Sequence, residues 1–277
     1  MVASETPDQQ EARAARTGQA SHQTYADTLR RLHGDCRVAH RSCLDGGAEV
    51  ADLASQDGVL FAGSPIQMYE DTAETRAAAR FMSAVYAAGV PSFGSCAGLQ
   101  IAAVAAGGTT KPRAGAMEAG FARGITATEA GRCHPLLRGR PPCWDAPAMH
   151  STIVDRAPPG LVALARAEGT PVEAAEIRSG AGTFWGVQYH PELAPGEIAA
   201  ALRRQRGALV EDGLAADGAA VDRYADALDA LDADPGRRDL AWQLGLGLEV
   251  LRFERRTREL GNFLRHLAER AVVRAAE

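Results

Sequence analysis

Cys96 stands midway between Gly94 and Gly98 in FGSCAGLQ, residues 93 to 100, after a short apolar run and before an alanine-rich segment. A reactive side chain on a sharp strand-to-helix turn needs small neighbours, because the backbone is strained there and adjacent chains come close. The same turn sets a thiol at a helix N-terminus, where the dipole and the unpaired amides stabilise a thiolate. A packed, inert thiol is the competing reading of any single cysteine. The second group is YHPEL, residues 189 to 193, with His190 and Glu192 two apart. In an extended segment both project to one side, and Pro191 between them donates no ladder hydrogen bond. A carboxylate beside an imidazole fixes its tautomer and stabilises the imidazolium. A thiolate, a base and an orienting acid together can carry acyl chemistry through a thioester.

The elements that must hold these groups alternate between strand and helix. TYADTLRRL, residues 24 to 32, places Tyr25, Leu29 and Leu32 on one helix face. Val59, Leu60, Phe61 and Ala62 form a short buried strand that runs into Gly63-Ser64-Pro65. Asp71 or Thr72 can cap a helix with Phe81, Val85 and Ala88 on one stripe, ended by Gly89. A second short strand leads into Cys96, and Gly107-Gly108 closes the helix after it. Residues 109 to 150, rich in glycine, proline and arginine, predict loops and short strands. GTFWGVQYHPEL, residues 182 to 193, is a strand in which Phe184, Gly186 and Gln188 alternate with Trp185, Val187 and Tyr189 until Pro191 stops the pairing. A further helix is predicted from about Glu197. This order predicts an α/β fold with a largely parallel sheet, helices on both faces, and ligands at the carboxyl ends of the strands.

GSCAGLQ together with GVQYHPE resembles the class I (triad) glutamine amidotransferases, most closely the glutaminase part of GMP synthase-like proteins, over roughly residues 57 to 210. The resemblance implies a flavodoxin-like fold and a Cys96-His190-Glu192 triad. It implies an oxyanion hole from the amide of Ala97 and an amide of the Gly63-Ser64 loop. It also implies substrate contacts from Gln100 and from the backbone of Met149, His150 and Ser151. The loop is GSP where many relatives have GGP, and Thr152 stands where GMP synthases tend to carry an acid. The family's opening strand is reduced to Met1, Val2 and Ala3 before polar sequence begins. No cofactor or metal is implied.

Composition narrows the remaining choices. The 277 residues accommodate an amidotransferase domain over 1–210 and an extension over 211–277, where Tyr224, Leu228, Leu231 and later Leu260, Phe263, Leu264 and Leu267 recur at helical spacing. Two or three amphipathic helices packed on the domain are expected there. With 30 Lys+Arg against 35 Asp+Glu and no dense basic run, a nucleic-acid surface is not expected. Nor is a membrane span, and a cytoplasmic location follows from the polar start. The cysteines Cys36, Cys43, Cys96, Cys133 and Cys143 are odd in number and contain no CxxC pair, so free thiols are expected. Cys133, His134 and Cys143 lack the spacing and the fourth ligand of a zinc site.

The leading functional expectation is a glutaminase that releases glutamate and ammonia, the ammonia passing to a separate synthase, because no SGG-type pyrophosphatase loop or Walker sequence is found. The alternatives are a free-standing γ-glutamyl amide hydrolase and a non-catalytic binding or regulatory module.

Overall fold

A computed structural model describes residues 1–44 and 50–276. Its strands are β1 (Val2–Ala3), β2 (Arg41–Ser42), β3 (Val59–Phe61), β4 (Ser92–Ser95), β5 (Thr109–Pro112), β6 (Glu118–Ala127), β7 (Cys143–His150), β8 (Thr152–Arg156), β9 (Leu161–Ala167), β10 (Thr170–Ser179) and β11 (Gly182–Val187). Nine of them form one sheet in the order β2-β1-β3-β4-β11-β10-β9-β6-β7, and β5 pairs with β8 separately. The half from β2 to β11 is parallel. From β11 outward it continues as an antiparallel meander through β10, β9, β6 and β7.

Helices cover both faces, as the strand pattern requires. Phe184 packs with Phe81, Val85, Leu99 and Ile101 on one side, where the helices Ala73–Ala88 and Ala97–Ala105 lie. Its neighbours Trp185, Val187 and Tyr189 pack on the other with Tyr25 and Leu29 of the helix Ser21–Leu32. The period of two in β11 is thus the division between two cores. Thr72, not Asp71, caps the helix Ala73–Ala88 by accepting from the Thr75 amide, and Gly89 ends it at φ 65°. The opening strand is as short as the sequence implies, yet it pairs with both β2 and β3.

Two regions differ from expectation. The stretch 109 to 150 contains β5, but also the ten-residue β6 and the eight-residue β7. Its glycines hid them: Gly120 and Gly124 take φ of 87° and 62° within β6, whose pairing with β7 shifts register between Ala122 and Ile125. A bulge breaks the alternation by which a strand is read. In the C-terminal helix Gly218–Ala233, the buried stripe is Val221, Ala225, Leu228 and Leu231, and Tyr224 turns outward. This helix packs with Ile198 and Leu202 of the helix Pro195–Arg204. The last helix, Arg258–Ala276, adds Leu260 and Phe263 to the core that holds Trp185. The tail therefore completes the cores of the sheet it follows. Among the described residues, no helix is long and apolar enough to cross a membrane.

Candidate active site

The two motifs meet because β4 and β11 are adjacent and parallel, with Ser95 opposite Val187 as the last paired residues. One residue further along β4 comes Cys96, whose amide still donates to the Val187 carbonyl at 2.8 Å. Three residues past Val187 lies His190, held by its own amide to the Pro147 carbonyl at 2.7 Å. Cys96 has φ 51° and is the only non-glycine residue with positive φ among those described. It is followed at once by the helix Ala97–Ala105. A Cβ on Gly94 would lie 2.9 Å from the Gly98 Cα, and one on Gly98 would lie 2.9 Å from the Phe61 Cβ. Both glycines are demanded by the close approach of this turn to itself and to β3.

His190 Nδ1 donates to Glu192 Oε1 at 2.7 Å. The other carboxylate oxygen, Oε2, accepts from Ser95 Oγ at 3.2 Å, and Ser95 Oγ lies 2.9 Å from the Tyr25 hydroxyl. Because the single Ser95 proton points to Glu192, Tyr25 donates to Ser95, and both hydroxyls are directed toward the carboxylate. Burial and the Glu192 charge raise the Tyr25 phenol well above its ordinary range, which keeps it a donor. Burial by itself would lower the His190 imidazole, but the Glu192 carboxylate and the Cys96 sulfur outweigh it and push His190 up to about 10. The arrangement favours an imidazolium beside sulfur. Neither Tyr25 nor Ser95 stands out in the sequence as part of a site. The one available signal is that Ser95 precedes Cys96 and must lie on the strand face opposite Gly94.

Cys96 and His190 open into a cavity of about 540 Å³ that Gly63, Ser64, Ala97, Gln100, Met149, His150 and Ser151 also line. Every site residue expected from the sequence is therefore gathered around one space. A Cβ on Gly63 would lie 2.5 Å from His190 Cε1, so the loop passes directly against the imidazole. Ser64 Oγ accepts from Ser4 Oγ at 2.7 Å, which ties that loop to the segment after β1. Met149 places its carbonyl 4.0 Å from Cys96 Sγ.

Gln100 has a more internal position than its expected substrate contact suggests. Its Nε2 donates to the Thr152 carbonyl at 3.0 Å and its Oε1 accepts from Thr152 Oγ1 at 3.1 Å. Thr152, buried, is thereby locked to the helix Ala97–Ala105. The His150 ring is held on both sides, with Nε2 2.7 Å from Glu118 Oε2 and Nδ1 3.0 Å from the Thr152 carbonyl. Glu118, His150 and the fully buried Glu173 bring ligand atoms within 4.8 Å of one another, the one grouping of metal-ligand type among the described residues. Burial and the nearby Glu118 charge raise Glu173 well above the carboxylate range. A carboxyl whose surroundings favour the protonated form is poorly suited to bind a cation. His134 pairs instead with Glu176 at 3.1 Å, away from Cys96, while Cys133 and Cys143 are exposed.

Residues 21–206 match the family model of glutamine amidotransferase class-I. A γ-glutamyl-L-1-hydroxyisopropylamide hydrolase from Pseudomonas sp. is 37% identical over 218 residues, which is 78% of this chain and 74% of that protein. The GMP synthase of Leifsonia xyli is 31% identical over 52% of this chain, and the match spans only 27% of the synthase. Among solved structures, a glutamine amidotransferase from Thermotoga maritima shares the fold with a TM-score of 0.57 at 17% identity, covering 89% of this chain and 92% of its own. One from Methylobacillus flagellatus gives 0.56 at 20% identity over 90% and 88%. The buried Cys96, His190 and Glu192 thus sit within a domain that matches the family along most of its length, and the chain belongs to the class-I glutamine amidotransferases.

Proposed function

We propose that the protein is a free-standing cysteine hydrolase of substituted γ-glutamyl amides. The observation that carries this reading is the wall of the cavity on the His190 side. It is built from this chain's own Gln9, Ala12 and Arg13 of the helix Pro7–Thr17, and from Glu197, Ala201 and Arg204 of the helix Pro195–Arg204. The amine departs toward the imidazole that protonates it, and the cavity of about 540 Å³ has room for more than an unsubstituted carboxamide. The extended match to a hydrolase of a γ-glutamyl amide supports the same reading, whereas the synthase matched above extends far beyond the aligned part.

The chemistry follows from the triad. Cys96 thiolate adds to the γ-carbonyl carbon, and the oxyanion forms beside the amides of Ala97 and the Gly63-Ser64 loop. His190, oriented by Glu192, passes its proton to the amide nitrogen, and the C–N bond breaks to release the amine. Water then adds to the thioester while His190 takes its proton, and glutamate leaves with the thiol restored. Met149, His150 and Ser151 offer backbone groups to the substrate's α-amino and α-carboxylate groups. Gln100 acts indirectly, by holding Thr152 and the segment before it.

A glutaminase that delivers ammonia to a separate synthase is the second reading, favoured by the similarity to GMP synthases. Amine and ammonia release by the purified protein from γ-glutamyl alkylamides and from glutamine separates the two. Rapid turnover of a substituted amide with glutamine poor is expected. Turnover of glutamine alone, accelerated by a synthase, would overturn the hydrolase.

A further inference from the structure

His150, in the segment 149–151 that lines the Cys96 cavity, meets two carboxyls that the chemistry above does not use. Glu118 lies opposite it in the pairing of β6 with β7. Glu173 comes from β10, where the pairing with β9 shifts register between Thr170 and Ala174. A bulge of this kind re-aims a side chain. Because β6 pairs with β9 only through Thr126 and Ala127, Glu118 at its other end has no β9 residue paired beside it, and the two carboxyls come together.

Glu173 is fully buried, and neither of its oxygens meets an N–H or hydroxyl donor among the described residues. Its hydrogen-bond partner is the Glu118 carboxyl. Two carboxyls bond only when one carries a proton. Burial and the Glu118 charge, against the opposing pull of Arg113, favour that proton on Glu173. Glu118 Oε2 in turn lies 2.7 Å from His150 Nε2. The Thr152 carbonyl can only accept, so His150 Nδ1 donates to it, and the same carbonyl accepts from Gln100 Nε2, each at 3.0 Å.

A continuous path of hydrogen bonds therefore runs from Glu173 through Glu118, His150 and the Thr152 carbonyl to the helix Ala97–Ala105. It spans the turn that sets the Met149 carbonyl 4.0 Å from Cys96 Sγ. Buried carboxyls gain little stability over apolar residues of like volume, whereas a satisfied polar network fixes position.

We propose that Glu173 and Glu118 are positioning residues for recognition of the substrate's α-amino group, holding the backbone of 149–151 in place relative to Cys96 through His150. This takes from the reading above only that the substrate is a γ-glutamyl amide, glutamine included.

Two substrate pairs differ within each pair only in the α-amino group: γ-glutamyl ethylamide with glutaryl ethylamide, and glutamine with the monoamide of glutaric acid. In wild type the α-amino group should raise kcat/KM by roughly ten- to a hundredfold within whichever pair is cleaved, as a hydrogen bond from a charged donor does. Glu173→Leu removes the donor to Glu118 and should bring that ratio to within about threefold of unity, mainly through KM, while the substrate lacking the group changes by less than about threefold. Glu173→Gln restores a donor and should keep the ratio within about threefold of wild type. Glu118→Gln, with one oxygen for two partners, should lower the ratio as Glu173→Leu does, and serves where that variant does not fold. A wild-type ratio near unity, an equal loss for both members of a pair, a ratio unchanged in Glu173→Leu and Glu118→Gln, or a Glu173→Gln as impaired as Glu173→Leu would each overturn the positioning role. Cleavage of the glutamine pair alone would overturn the hydrolase reading, with the ratios on that pair still deciding for or against Glu173 and Glu118. Cleavage of neither pair by wild type would overturn both.

Discussion

Ser95, the residue immediately before Cys96, donates to Oε2 of Glu192, whose other oxygen is bonded to His190 Nδ1. The two lie 97 positions apart, and their contact exists only because β4 and β11 run side by side. It means that the strand delivering Cys96 also fixes the carboxylate behind His190, so the thiol and the imidazole are referenced to one another.

Removing that link should slow acylation without preventing it. Ser95→Ala leaves Glu192 with its His190 contact but takes away one donor and strands the Tyr25 hydroxyl. A fall of roughly ten- to a hundredfold in single-turnover acylation is expected, corresponding to about 1.5–3 kcal/mol for a hydrogen bond to a charged group. Glu192→Gln should cost more, because it also alters the charge that holds the imidazolium. Stopped-flow acylation of both variants checks the order, and a wild-type rate in Glu192→Gln would require another residue to orient His190.

Cys96→Ala should abolish amide hydrolysis, by roughly 10⁴-fold or more, as expected when the bond-making group of a catalytic unit is lost. Its circular dichroism spectrum should be unchanged, since no bulk is added at the turn. Cys36→Ser, Cys133→Ser and Cys143→Ser should keep activity within a few-fold. Turnover by a clean Cys96→Ala preparation would remove the thioester from the mechanism.

Gly63→Ala tests the loop against the imidazole. The added Cβ would sit 2.5 Å from His190 Cε1, and the ring cannot simply swing aside because Glu192 holds Nδ1. A fall in kcat of roughly ten- to a hundredfold is expected, with a stability loss of about 1–3 kcal/mol at most for the overpacked contact. Steady-state kinetics beside a denaturant titration separates the two effects.

The raised His190 pKa also makes stability depend on pH. The folded protein holds this proton up to about 10, whereas the unfolded chain releases it near the ordinary 6.5. Between those values the native state binds more protons, so stability contributed by His190 is full below about 6.5 and is lost as pH rises through about 10. Across pH 7 to 9 the slope from this one group cannot exceed about 1.4 kcal/mol per pH unit. Urea titrations of wild type and His190→Gln over that window should give a shallower decline for the variant.

Glu259 of the helix Arg258–Ala276 tests whether the tail supports the site. It accepts from Arg140 at 2.7 and 2.8 Å and from the Tyr189 hydroxyl at 2.9 Å, one residue before His190. Both Arg140 and Glu259 are buried, so Glu259→Ala leaves a guanidinium short of its main partner. A loss of about 3–5 kcal/mol is expected, measured as a lowered denaturation midpoint.

The sequence by itself determined the candidate groups and the local shapes that carry them. Cys96 between glycines, His190 and Glu192 around Pro191, the caps of the helix Ala73–Ala88 and the alternation in β11 are all set by neighbours a few residues away, where sterics and period act directly. What it could not contain is any relation that depends on which strands adjoin. The donation from Ser95 to Glu192, the Tyr25 hydroxyl behind it and the Glu259 contact to Tyr189 join residues on elements separated by long stretches of chain. The bulged β6 escaped for a related reason, since a register shift is defined only against its partner strand. Tyr224 turns outward because the helix Gly218–Ala233 buries the stripe of Val221, Ala225, Leu228 and Leu231, which shares a core with Ile198 and Leu202. Local chemistry is written in order along the chain, while adjacency is decided when the cores on the two faces of the sheet close.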